Sequence, residues 1–126
     1  MKITSFNPLI LSPDKDSAVK VFEALGFAVR HVLQMDVNGF PLDVTRMKNE
    51  GGFYVDIADV KAVPQDMTLI RMNVDNFDEA YATLKEKGFV NLAGDNSSAS
   101  TGRAKAATMA SPSGFQICVI EHLKDQ

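Results

Sequence analysis

The sequence has no tryptophan, one cysteine and two histidines among its 126 residues. A single cysteine, Cys118, cannot form a disulfide within the chain, so nothing in the sequence requires an oxidising compartment. No apolar run approaches the ~20 residues of a membrane-spanning helix, and the first residues lack the continuous apolar stretch of a signal peptide. These absences lead us to expect a cytoplasmic protein with no membrane partner.

The sequence also lacks an excess of basic residues, since it has 13 Lys and Arg residues against 16 Asp and Glu residues and a formal net charge of −3. Sequence-independent binding of nucleic acid needs a basic face, so we expect no nucleic-acid partner. The mild acidity is weakly compatible with a neutral or cationic ligand. The length is typical of one domain, and we predict a single domain over residues 1–126.

Two segments carry the signals of amphipathic helices. Residues 14–25 begin with a capping aspartate, have apolar side chains at helical spacing and end at a glycine. Residues 76–87 follow the same pattern, with Asn76 and Glu79 forming a capping box. The remaining periodic segments predict strands over residues 3–12, 27–35, 41–47, 53–58, 67–74, 89–92, 105–110 and 115–120.

The order strand, helix and three strands therefore occurs twice, and the two copies share one register. Asp14 and Asn76 stand 62 positions apart, as do Gly52 and Gly114. The same offset relates further pairs in the helices and strands: Ala18 and Ala80, Gly26 and Gly88, Phe53 and Phe115, Val55 and Ile117. We infer an internal duplication, with repeat 1 in residues 1–59 and repeat 2 in residues 66–122.

Two segments fall outside the repeats. Residues 58–66 are a predicted linker. Residues 96–102 are small and polar, which predicts a mobile loop, and a flap over a ligand is the functional alternative that the sequence leaves open.

Three motifs resemble the vicinal oxygen chelate superfamily, which contains glyoxalase I, extradiol dioxygenases and bleomycin- and fosfomycin-resistance proteins. Residues 17–27, SAVKVFEALGF, are similar to the end of its first helix, and residues 74–88, VDNFDEAYATLKEKG, to its second. Residues 111–114, SPSG, resemble its D-P-D/S-G turn, with serine in place of the first aspartate. The resemblance implies an α+β fold in which two βαβββ repeats form a curved mixed sheet with the helices on its convex face. It also implies a homodimer, and whether that dimer is domain-swapped stays open.

The resemblance further implies where metal-dependent relatives hold a divalent ion, at Asn7, Asp56, Leu69 and Cys118 of this chain. Leu69 has no donor atom, Asn7 offers a neutral amide, and Cys118 is a soft ligand that suits zinc better than magnesium or manganese. One carboxylate in such a set does not make a site for a hard octahedral ion. We therefore expect no metal and no other cofactor.

Strand alternation extends these positions to a whole concave face. Residues of opposite parity form three apolar triplets, at residues 53–57, 70–74 and 115–119, as expected for a face packed on helices. Asp56 and Arg71 could pair with each other or contact a ligand, and both interpretations stay open. The candidate ligand-binding residues are Asn7, Tyr54, Asp56, Leu69, Arg71, Asn73, Gln116 and Cys118.

Three functional hypotheses follow. The first is a metal-free protein of the glyoxalase/bleomycin-resistance type that binds an unidentified small molecule in the concave pocket or a dimer groove. The second is a glyoxalase I-like lyase or a dioxygenase-like enzyme of the same superfamily, in which Asp56 could act as a general base. The third is a regulatory or assembly module. The missing metal ligands favour the first and leave the catalytic residues unknown.

Overall fold

A computed structural model describes residues 1–37, 40–94, 99–100 and 104–123. Within these ranges the chain forms two helices and nine strands. The predicted loop at residues 96–102 lies outside the described residues, apart from residues 99–100. In chain order the elements are β1 Ile3–Ser12, α1 Lys15–Ala24, β2 Ala28–Val37, β3 Phe40–Lys48, β4 Tyr54–Asp59, β5 Met67–Val74, α2 Phe77–Glu86, β6 Val90–Asn91, β7 Ala99–Ser100, β8 Ala104–Ala110 and β9 Gln116–His122.

The α+β class and the repeated strand–helix–strand order are confirmed, with two corrections to the strands. Residues 99–100, predicted as loop, form β7 and pair with β8 through Ala99 opposite Ala106. Small polar residues do not predict a strand, so β7 depends on its pairing with β8. The last strand also continues past residue 120 to His122, which pairs with Ala104, so the predicted end of this strand was two residues too early.

Side-chain capping fixes the start of each helix. The Asp14 carboxylate accepts hydrogen bonds from the Ser17 backbone N–H at 3.2 Å and from its hydroxyl at 2.6 Å. These two bonds hold the pKa of Asp14 below its ordinary value. The Asn76 amide oxygen accepts from the Glu79 backbone N–H at 3.1 Å in the same way. Each cap satisfies a backbone donor that has no partner within its helix.

The chain divides into two compact units. The Asp56 unit comprises Asn7–Met35 and Pro41–Leu69, and its strands follow the order β2-β3-β4-β1. The Arg71 unit comprises Met1–Phe6, Asp36–Phe40 and Ile70–Gln126, with the order β5-β9-β8-β6 and β7 beside β8. In each unit the last strand of the repeat is parallel to the first and antiparallel to its other neighbour, so the strand pairing is mixed in both units.

Each unit packs its helix against one face of its strands. In the Asp56 unit, Met47, Val55 and Ile57 are buried, and the α1 side chains of Ala18, Val19 and Phe22 contact them. The Arg71 unit has a larger core on the matching face, made of Met72, Val74, Phe77, Ala80, Phe89, Ala107, Met109, Ile117 and Val119. Burial of these side chains supplies most of the stabilising free energy of such a layer.

The predicted apolar parity is therefore correct within the strands and wrong at two positions. Phe53 and Phe115 are 69% and 54% exposed. Both residues precede the first paired residue of their strands, at the turns that Gly52 and Gly114 form. The Phe115 ring makes an edge contact with Phe89, with the centroids 5.3 Å apart.

Candidate functional site

The face of β3 and β4 that points away from the α1 core carries a charged cluster. In the antiparallel register Arg46 lies opposite Asp56 and Lys48 lies opposite Tyr54. Residues two apart in a strand point to the same side, so all four side chains share one face. With Asn7 of β1, which hydrogen-bonds Asp56, they form what we call the Asp56 face.

Asp56 is the centre of this face, and its side chain is fully buried. Its Oδ2 accepts from Arg46 Nη1 at 3.1 Å and from the Asn7 amide at 2.7 Å, and Oδ1 lies 3.5 Å from the same Nη1. The Arg46 side chain is only 8% exposed. A buried carboxylate has a large desolvation cost unless it is paired and hydrogen-bonded, and both conditions are met here.

The aromatic ring of Tyr54 lies beside two cations. The Arg46 guanidinium carbon is 4.0 Å from the ring centroid and the Lys48 ammonium nitrogen is 5.1 Å from it. Both distances are within the range of cation–π attraction. The half-buried Tyr54 therefore helps to position both cationic groups.

The Arg71 unit carries a second polar cluster, on the face of β5 and β9 opposite its core. Arg71 is buried; its Nε donates to the Asn73 amide oxygen at 3.1 Å, and its Nη2 lies 3.5 Å from His122 Nε2. A guanidinium has only donors, so this contact is a hydrogen bond in the tautomer whose Nε2 accepts. Arg71 lies opposite Cys118 in the parallel register, which places that thiol on the same face.

The candidate residues thus divide between the units. Asn7, Tyr54 and Asp56 come together in the Asp56 unit, to which the buried Leu69 also belongs. Arg71, Asn73, Gln116 and Cys118 belong to the Arg71 unit. An Asp56–Arg71 ion pair, one of the two interpretations that the sequence leaves open, would join residues of different units and stays untested.

Sequence reasoning missed Arg46, Lys48 and His122. The first two lie on β3. A sequence signal for them is the alternation of the strand, which places Val44, Arg46 and Lys48 on one face. Their pairing with β4 requires a register, which depends on the connection through residues 49–53. His122 was missed because β9 was predicted to end too early.

The implied metal positions do not fit a divalent ion. Leu69 has no donor atom, and Asn7 directs its amide N–H at Asp56 and at the Pro8 carbonyl oxygen, at 2.7 and 2.8 Å. The Arg46 guanidinium pairs with the carboxylate of Asp56 and adds a positive charge that repels a metal ion. No group of three or more His, Cys, Asp or Glu side chains within the described ranges could hold a metal ion.

The described part of the chain has no helix long and apolar enough to cross a membrane. No protein-family model matches the sequence, and no curated protein is similar enough to count as a relative. Solved structures do match it, at low sequence identity, so they inform the fold alone.

A glyoxalase/bleomycin resistance protein/dioxygenase superfamily member from Vibrio splendidus has a TM-score of 0.62 and 14% identity, covering 95% of this chain and 99% of that one. Glyoxalase I from Zea mays has a TM-score of 0.65 and 12% identity over 98% of this chain, which spans 45% of that protein. A mutant of 4-hydroxymandelate synthase from Streptomyces coelicolor has a TM-score of 0.53 and 14% identity, covering 95% of this chain and 48% of that one. Together with the repeated βαβββ order and the mixed sheet, these matches show that the chain has the vicinal oxygen chelate fold.

Proposed function

We propose that this chain is a metal-free, small-molecule-binding protein of the glyoxalase/bleomycin-resistance type, with its ligand on the sheet faces that carry Asp56 and Arg71. The observation that carries the proposal is the burial of Asp56 and its contacts with Arg46 and Asn7. At the position where the fold's metal-dependent members place a ligand, this chain has a buried carboxylate whose oxygens are engaged by Arg46 and Asn7. Arg46 contacts the carboxylate oxygens of Asp56 that a metal ion would need to coordinate.

The polar groups on the two faces support binding. Small-molecule sites combine an apolar lining with a few oriented donors and acceptors. The Arg71 unit offers a guanidinium, an amide and an imidazole whose mutual contacts hold them in place. We further propose that residues 1–126 act as one domain, and that a homodimer completes the site in the cytoplasm.

The enzymatic alternatives receive less support from the same residues. A glyoxalase-like lyase or a dioxygenase uses a metal to polarise two oxygens of its substrate, and the donor set does not fit one. Asp56 could serve as a general base only after the Arg46 contact at 3.1 Å was released.

A ligand screen with matched variants tests the binding proposal. Thermal shift would be measured against bleomycin-like cations, glutathione adducts and small aromatic acids, with hits confirmed by calorimetry. A ligand at 100 times its Kd should stabilise the protein by about 2.7 kcal/mol. Asn73→Ala should weaken binding on the Arg71 face, whereas Glu86→Ala, on the exposed end of α2, should not.

Two results would contradict the proposal. If every binding event survives Asn73→Ala and Tyr54→Ala unchanged, the faces are not the site. If metal analysis of the purified protein finds one tightly held divalent ion that is lost in Asp56→Asn, the metal-free assignment is wrong.

A further inference from the structure

We propose that the Asp56 face recognises the anionic group of an organic ligand, a carboxylate or a phosphate, with Lys48 as its counter-ion. This inference rests on the proposed binding function and names the chemical class of the ligand. The anion would be recognised by a residue of β3, a strand whose side chains the sequence alone did not assign to the site.

The first support is the position of the Lys48 ammonium. Lys48 is opposite Tyr54 in the β3–β4 register, on the same side as Arg46 and Asp56. Its nitrogen lies 5.1 Å from the Tyr54 ring centroid, so the side chain lies along the face and is only partly exposed. A cation held this way loses less conformational entropy when it meets an anion than a freely rotating surface lysine would.

The second support is the balance of charge on the Asp56 face. Arg46 and Asp56 neutralise each other at 3.1 Å. Among the residues that the structure describes, no carboxylate pairs with Lys48. The face therefore has one excess positive charge, beside a ring and a buried pair that lower the local dielectric and strengthen its attraction for an anion.

The third support comes from the second repeat, which serves as an internal comparison. Its register pairs Thr108 with Cys118 and Ala110 with Gln116, at the places of Arg46 with Asp56 and Lys48 with Tyr54. All four residues of the second repeat are uncharged. The fold thus forms the same strand pair without these charges, and a buried ion pair is itself a poor source of stability.

The local charge also replaces the weak expectation of a neutral or cationic ligand, which came from the net charge of −3. Attraction between exposed charges is screened within about 8 Å at physiological salt. The groups that line a site therefore decide its ligand, whatever the sum over the chain.

The test is a binding titration with matched charged and uncharged probes. Benzoate and phenyl phosphate would be compared with benzamide and phenol by NMR, on the wild-type protein and on Lys48→Met, Lys48→Arg and Lys20→Met. Lys20 is an exposed lysine of α1 in the same unit and controls for general charge effects. The wild type should bind at least one anion about 10-fold more tightly than its neutral counterpart, and added salt should reduce that preference.

Lys48→Met should abolish the preference for the anion, whereas Lys48→Arg and Lys20→Met should keep it. Preference for benzoate or for phenyl phosphate tells which anionic group the face accepts. The inference fails if Lys48→Met keeps the preference, if Lys20→Met loses it equally, or if no anion binds at millimolar concentration. If neutral or cationic ligands bind and Asn73→Ala weakens them, only the anion inference fails and the proposed function stands.

Discussion

Removing both partners of the Arg46–Asp56 pair should destabilise the protein far less than the sum of the two single removals. The Asp56 side chain is 0% exposed and that of Arg46 is 8% exposed, with 3.1 Å between Nη1 and Oδ2. Asp56→Asn leaves a buried guanidinium without its carboxylate, and Arg46→Met leaves a buried carboxylate with Asn7. Each single change should cost about 3–5 kcal/mol.

The double variant Arg46→Met/Asp56→Asn contains neither charge, so it should be more stable than the sum of the single effects predicts, by about 2–3 kcal/mol. Urea denaturation of all four proteins measures this coupling, and a slope of about 2 kcal/mol per molar converts each single loss to a midpoint shift of roughly 2 M. Lys15→Met is the matched control, because it breaks the Lys15–Asp43 pair, in which Asp43 is 42% exposed. That change should cost less than about 1 kcal/mol.

Single effects that add within about 0.5 kcal/mol in the double variant would contradict this prediction. So would a loss of stability in Arg46→Met that is no larger than the loss in Lys15→Met. Either result would mean that burial at Asp56 does not set the energy of the pair.

Two further predictions concern the helix ends. Gly88→Ala should destabilise the protein by more than Gly26→Ala. Both glycines have φ above +90°, so the backbone strain of an alanine should cost about 1–2 kcal/mol at either position, but a Cβ at Gly88 would also lie 3.0 Å from Pro112 Cγ, whereas one at Gly26 meets nothing within 4 Å. Equal urea midpoints for the two variants would contradict the predicted overlap with Pro112. The lowered pKa of Asp14 means that its stabilisation of α1 is fully present above its ordinary value of 3.8 and is lost as pH falls through the lowered value. The stability advantage of the wild type over Asp14→Asn should therefore shrink on acidification, and a difference that stays constant down to pH 2 would show that the carboxylate does not cap the helix.

Much of the fold could be predicted because its signals are local. Asp14 and Asn76 cap their helices through bonds to residues three positions away, and the apolar side chains of each helix recur within a few positions. The parity of Val55 and Ile57 follows from strand alternation alone. The 62-residue register then repeats these signals, so an error in one copy is visible in the other.

Other features were not predictable from the residues near them. Whether Arg46 meets Asp56 depends on which residues of β3 and β4 lie opposite each other, and a shift of one position would send Arg46 to the other face. The strand at β7 and the extension of β9 to His122 likewise depend on pairing with β8, which the residues of these segments do not specify by themselves.

The sequence by itself determined the helices with their caps, the repeated order of elements and the face that packs against each helix. These depend on backbone preferences and periodicities that residues close in the chain set together. Only the tertiary structure decided that a guanidinium engages Asp56, that Lys48 lies beside Tyr54, and that Phe53 and Phe115 stay exposed. Those outcomes depend on strand register and burial, which follow from free-energy differences summed over the whole fold.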